Sequence, residues 1–169
     1  QGSWLGPLSF IILIDDLKLS CLTHKFVDDT TVTEILSRRQ QSSMQQYYNE
    51  LVDWTDSNLM RINDSKTMII GSDAAIVAIP PLLSSGSDQI ERVDRFKLLG
   101  ITISRDLKWS DHIDIICSKA TYRIHFLKQL ERSGVPIADL LHYYVSVIRP
   151  TLEYACPVWY SSITSEQSD

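Results

Sequence analysis

The stretch THKFVDDTTVTEIL, residues 23–36, sets two carboxylates, Asp28 and Asp29, side by side inside a run that otherwise alternates like a strand. Phe26, Val27 and Val32 call for burial, and the threonines suit a pleated surface. Adjacent like charges repel, and burying them is costly unless something compensates. The run therefore has to break at the pair. The alternation predicts a strand near Leu22–Val27, a turn at the aspartates and a second strand near Thr30–Ile35. In a straight strand two neighbouring side chains face opposite sides. At a hairpin turn both can lean the same way, and a divalent cation there would offset their repulsion.

The neighbours fit an α+β chain. Gly6-Pro7 opens a helix running through LSFIILI to about Leu17. It is apolar nearly all round, which predicts burial on most sides. The run falls far short of the roughly 20 residues needed to span a bilayer. Asp15-Asp16 is expected to end this helix and to hydrogen-bond locally. Met44, Tyr47, Tyr48, Leu51 and Trp54 recur at helical spacing, Asn63-Asp64-Ser65 is turn chemistry, and KTMIIGS reads as a short strand. Pro80-Pro81 and SSGSD mark residues 73–88 as a mobile loop, and RFKLLGITIS gives two short strands around Gly100. A helix follows from Ser110, its expected N-cap, to just before Gly134. IADLLHYYVSVIRP is a further helix that Pro150 is expected to stop. Trp54 and Trp109 are read as packing residues. The expected architecture is a small antiparallel sheet backed by helices over residues 1–109, a helical region over 110–150 and a tail over 151–169.

Sixteen Lys+Arg against 21 Asp+Glu leave the chain at −5, which does not suit gripping nucleic acid with the whole surface. Positive charge concentrates in residues 91–150, so that segment is the better candidate for touching a polyanion. Lys119 and Arg123 lie on one flank of the long helix and Lys128 and Arg132 on the other, so they form no single basic face. Cys21, Cys117 and Cys156 are widely spaced and form no disulfide framework, which points to a reducing, intracellular setting.

QGSWLGPLSFIILIDDL, then HKFVDDTTVT, LVDWTDSNLMRINDSKTMII and RFKLLGITIS with DLKWSDHI, in this order, resemble the reverse transcriptases of LINE-type, non-long-terminal-repeat retrotransposons. The resemblance runs along essentially the whole chain. It implies a polymerase palm over residues 1–109 and a thumb over 110–150, acting on an RNA template, a DNA primer and deoxynucleoside triphosphates in the nucleus or cytoplasm. Asp28 and Asp29 match the family's Asp-Asp box and would ligate Mg²⁺, or Mn²⁺, in a two-metal nucleotidyl transfer, Asp28 being the principal ligand. Gln1 and Gly2 match the motif lining the incoming nucleotide. Lys66 matches a lysine able to protonate the pyrophosphate leaving group. Leu99 and Gly100 match the turn that holds the primer end.

Three departures stand out. Val27 replaces the alanine usual before the Asp pair and threatens to crowd it, and Ser9 and Asp15 replace a leucine and an asparagine. The motif with the family's first catalytic aspartate belongs upstream of Gln1. The isolated chain is therefore expected not to polymerise. The alternatives are a non-enzymatic nucleic-acid-binding remnant using residues 91–150, or a structural one.

Overall fold

The structure, a computed structural model, describes residues 5–37, 40–63, 65–71 and 79–163. These fall into two compact units, one of residues 5–67 and 79–92 and one of residues 68–71 and 93–163.

The first unit opens with α1 (Leu5–Asp15). Contrary to the expectation of a buried helix, only Ile14 is buried along it, and Leu5, Leu8, Ile11, Ile12 and Leu13 are exposed. Its apolar residues surround the axis, so one neighbouring surface covers few of them. What holds α1 is its C-terminal end. The Lys25 ammonium donates to the carbonyls of Ile14 (2.8 Å), Leu17 (2.9 Å) and Asp15 (3.3 Å). A helix C-terminus leaves such carbonyls unpaired and carries partial negative charge, so a cation satisfies both. Asp15 does end the helix, but Asp16 bonds at long range: its Oδ1 accepts from Trp54 Nε1 at 3.2 Å.

Lys25 lies on β1 (Leu22–Phe26), which pairs antiparallel with β2 (Asp29–Thr33). Next, α2 (Met44–Ser57) packs Tyr48 against Leu83 and Ile90, with Met44, Val52 and Ile62 around them. Glu50 Oε2, on the same helix, accepts from the Ser20 amide at 3.0 Å. The expected KTMIIGS strand contracts to β3 (Lys66–Thr67). Residues 73–78 of the expected mobile loop lie outside the described residues. Its last part folds into a hairpin, β4 (Ser84–Ser85) and β5 (Asp88–Gln89), turning at Gly86 with φ +61°. Then β6 (Glu91–Arg92) runs parallel to β3.

In the second unit, β7 (Arg95–Leu98) and β8 (Ile101–Ser104) form the expected hairpin. Both residues of its loop are left-handed, Leu99 at φ +46° and Gly100 at +90°, as a type I′ turn requires. Residues 68–71 join this unit through the Gly71 amide, which donates to Arg105 O at 2.9 Å.

The long helix α3 (Ser110–Arg132) buries Ile113, Ile116 and Ala120, the first part of its apolar stripe. Trp109, not Ser110, is its N-cap, with no side-chain capping bond. At its other end the Gly134 amide donates to Glu131 O at 3.0 Å and the Val135 amide to Leu130 O at 3.2 Å. With Gly134 at φ +80°, this is a Schellman cap. Ile113 and Ile116 pack with Trp159, and Trp109 and Leu152 border the cluster.

Pro150 does not stop the next helix. After α4 (Ile137–Tyr143) the chain widens into a π turn, Tyr144–Ile148, and continues as α5 (Arg149–Glu153). Proline lacks the amide that would continue an α-helical ladder, but it is tolerated in a first turn. The π turn restarts the helix, so Pro150 falls in such a turn. The Val147 carbonyl then accepts from Thr151 Oγ1 at 3.0 Å and from Arg123 Nη1, across on α3, at 2.7 Å. Arg123 also donates to Thr151 Oγ1. The described residues close with α6 (Cys156–Trp159) and a short 3₁₀ turn, Tyr160–Ser162.

The helices and small sheets are compatible with an α+β fold. In place of one antiparallel sheet, however, the described residues hold four separate two-stranded ladders, of which β3–β6 is parallel. Ladders this short leave strand edges unpaired, so they lean on helices or on other chain for support.

Candidate functional site

The aspartate pair sits at the apex of the first hairpin, though not symmetrically. Phe26 pairs with Asp29, so the loop itself is Val27-Asp28 and Asp29 is already the first residue of β2. Both carboxylates are exposed, and neither has a hydrogen-bond or ion-pair partner among the described residues. Water therefore carries the cost of holding them together, and both keep their oxygens available to a hard cation.

Val27 bears on this apex through its backbone. It lies at φ +54° and its side chain is 41% exposed. A β-branched residue in the left-handed region is strained, because its Cβ meets the adjoining backbone. The apex thus holds a conformation that its own residue type disfavours.

Lys66 stands at the start of β3, where its ammonium pairs with Glu91 Oε2 at 2.5 Å, directly across the β3–β6 ladder. An open groove of about 510 Å³ runs past this pair, lined among others by Tyr48, Asp56, Arg61, Asp88 and Glu91. No cluster of three or more His, Cys, Asp or Glu side chains suited to a metal ion occurs among the described residues. The nucleotide-lining candidates Gln1 and Gly2 lie outside the described residues.

Leu99 and Gly100, the primer-turn candidates, form the β7–β8 loop. Gly100 is required there twice over. Its φ of +90° suits glycine, and a Cβ on it would come within 3.0 Å of Tyr154 Cε1. Tyr154 Oη also donates to Leu99 O at 2.8 Å. Nothing in the local sequence around either segment signals this contact, which spans 55 residues.

Much of the positive charge in residues 91–150 is committed to structure. Arg92 donates to the carbonyls of Pro80 and Pro81 at 2.7 and 2.9 Å. Arg95 pairs with Asp111 at 3.0 Å, Arg149 with Glu153 at 2.7 Å, and Arg123 braces the π turn. Lys97, Lys119, Lys128 and Arg132 have no such partner among the described residues. One of these, Lys119, lines an open groove of about 700 Å³ with Ser118, Tyr122, Arg123, Phe126 and Tyr143. Tyr122 and Phe126 are largely exposed. Cation and ring faces together suit a phosphate backbone carrying bases.

Asp106 and His112 are among the titrating groups perturbed for structural reasons. The Ser104 hydroxyl, and after it the Lys108 amide, hold the Asp106 carboxyl below its ordinary value and so order the turn before α3. Burial, reinforced by the charge of Lys119, depresses the His112 imidazole. Its Nδ1 accepts from the Thr102 amide at 3.4 Å, and its ring meets those of Trp109 and Trp159 edgewise. Its Nε2 is buried without a partner among the described residues.

The chain is similar over 94% of its length to two proteins of Drosophila melanogaster. It is 23% identical to the probable RNA-directed DNA polymerase from transposon X-element and 26% identical to the RNA-directed DNA polymerase from mobile element jockey. It spans 19% of the length of each. No family model and no solved structure matches it. The resemblance carried by its motifs, to the reverse transcriptases of LINE-type transposons, is thereby borne out.

Proposed function

We propose that these residues are a palm-and-thumb portion of a retrotransposon RNA-directed DNA polymerase, with the palm over residues 1–109 and the thumb over 110–150. The observation that carries this is the exposed Asp28–Asp29 pair at a hairpin apex, unpartnered among the described residues, within a chain similar along its length to two such polymerases. The substrates follow from that reading: an RNA template, a DNA primer and deoxynucleoside triphosphates.

The donor set agrees with Mg²⁺ or Mn²⁺ in type, since both aspartates offer hard oxygens with no competing partner among the described residues. It is short in number, because no third carboxylate joins them among the described residues. Asp28, with Asp29 beside it, would hold the cation, which supplies charge stabilisation where nucleotidyl oxygens meet. Lys66 is the candidate proton donor to the leaving pyrophosphate. In the present fold its ammonium is engaged by Glu91, so that role requires the pair to open. Leu99 and Gly100 would meet the primer end, and Gln1 and Gly2 the incoming nucleotide.

Two experiments test the reading. Mn²⁺ added to the labelled chain is expected to broaden the amide signals of residues 27–30, and Asp28→Asn to remove that broadening. Broadening spread evenly over the surface would sink the metal assignment. In primer extension, the polypeptide of residues 1–169 alone is expected to give no template-directed incorporation, since no third carboxylate joins the pair among the described residues. Incorporation above background would refute that expectation.

The α3 groove favours a second reading, binding of nucleic acid without chemistry, because Lys119 stands unpaired among the described residues beside exposed rings. Binding of an RNA–DNA hybrid that weakens steeply with salt, with no metal bound at the hairpin, would select it. Absence of binding altogether would favour a purely structural remnant.

A further inference from the structure

We propose that Tyr154 is a positioning residue, the latch that sets the Leu99–Gly100 turn for the end of a primer strand. This rests on the reading above that the turn meets the primer.

Three observations converge on the contact. Tyr154 Oη donates to Leu99 O at 2.8 Å, taking up a carbonyl at the tip of a two-residue loop. The tyrosine ring lies so close over Gly100 that any Cβ there would meet Cε1 at 3.0 Å and Oη at 3.4 Å. Tyr154 is itself anchored: its carbonyl accepts from Trp159 Nε1 at 3.0 Å, and Trp159 is buried against Ile113 and Ile116. Ala155, left-handed at φ +51°, makes the sharp bend that leaves Tyr154 short of α6 while Trp159 enters the core.

The consequence for the turn is specific. A hairpin of four-residue strands tilts readily at its tip, since each strand has one unpaired edge. Fixing the Leu99 carbonyl to a side chain rooted in the helical core removes that freedom. It also occupies the acceptor that would repel a phosphate oxygen. The loop amides of Leu99 and Gly100 have no hydrogen-bond partner among the described residues, so donors remain at the tip. A strand terminus is then met by a rigid, donor-bearing turn, and a group held within a narrow geometry binds better than one that must be ordered first.

The test uses Tyr154→Phe, which keeps the ring over Gly100 and removes only the hydroxyl. Two RNA–DNA hybrids serve as probes: one with a recessed DNA 3′ end, and one closed by loops so that it has no end. Fluorescence anisotropy is expected to show about a five-fold weaker Kd for the recessed hybrid and no change for the closed one, as loss of one net hydrogen bond implies. Amide exchange at Leu98 and Ile101, the ladder pair beside the turn, should quicken by a similar factor. Equal loss on both probes would make Tyr154 merely structural, and an unchanged preference for the recessed end would overturn the proposal. If the wild-type chain itself does not prefer the recessed hybrid, the primer reading fails and takes the proposal with it. If that preference is present but amide exchange is unmoved by Tyr154→Phe, the latch alone is wrong.

Discussion

Replacing Arg123 by methionine separates two accounts of the basic residues on α3. In sequence, Arg123 looks like a cation for a polyanion. In the fold, its guanidinium donates to Val147 O at 2.7 Å and to Thr151 Oγ1, bridging α3 to the π turn before Pro150. Hydrogen bonds from charged groups contribute about 1.5–3 kcal/mol when buried. This pair is partly solvent-exposed, and Val147 O keeps its bond from Thr151 Oγ1, so no acceptor is stranded. A loss of about 1–2 kcal/mol is therefore expected for Arg123→Met. Arg123→Lys should recover part of it, because an ammonium reaches one acceptor but lacks the planar fork. The assay is urea denaturation, where the midpoint should fall while the slope stays constant. Hybrid binding measured against salt provides the counter-test. Unchanged stability, together with a salt slope reduced by about one, would mean that Arg123 contacts a phosphate and that the bracing argument is wrong.

Further outcomes follow from the same structure. Val27→Gly should raise stability by about 0.5–1 kcal/mol, because glycine adopts the left-handed apex that valine resists while costing more chain entropy on folding. A fall in the denaturation midpoint would mean that the valine side chain contributes packing that outweighs its strain. For His112, folding depresses the imidazole value below its ordinary 6.5, so the unfolded chain binds the proton more readily. Its contribution is then fully present above about pH 6.5 and is lost as pH falls through the lower folded value. Denaturation midpoints compared at pH 7.5 and 5.5 should differ less in His112→Phe than in the wild type. An identical pH dependence in both would exclude His112 as a source.

Local signals were enough to place the aspartate hairpin, the strands around Gly100 and the long helix ending at Gly134. In each, a short-range rule decides: alternation, a two-residue loop ending in glycine, a left-handed cap. The same rules misplaced features whose outcome depends on distant partners. The apolar LSFIILI run reads as buried, yet helix α1 is exposed over most of its length because burial requires a surrounding surface that the sequence of the helix cannot supply. Pro150 reads as a stop, yet a π turn and an arginine 27 positions earlier carry the helix past it. Asp16 reads as hydrogen-bonding locally, yet it bonds Trp54.

The aspartate pair marks the division most clearly. Sequence by itself determined that Asp28 and Asp29 had to lie where the strand alternation breaks, since adjacent like charges tolerate neither burial nor a paired strand interior. It also carried the ordered motifs that tie this chain to transposon polymerases. Only the tertiary structure decided that Asp29 belongs to the strand and Asp28 to the loop, that Val27 takes the strained conformation, and that Lys66 is held by Glu91. It alone brought Tyr154 onto Gly100. The physical reason is range. Charge repulsion and side-chain alternation act between neighbours and are written in adjacent letters, whereas register, ion pairing and ring contact depend on which distant segments the folded chain sets side by side.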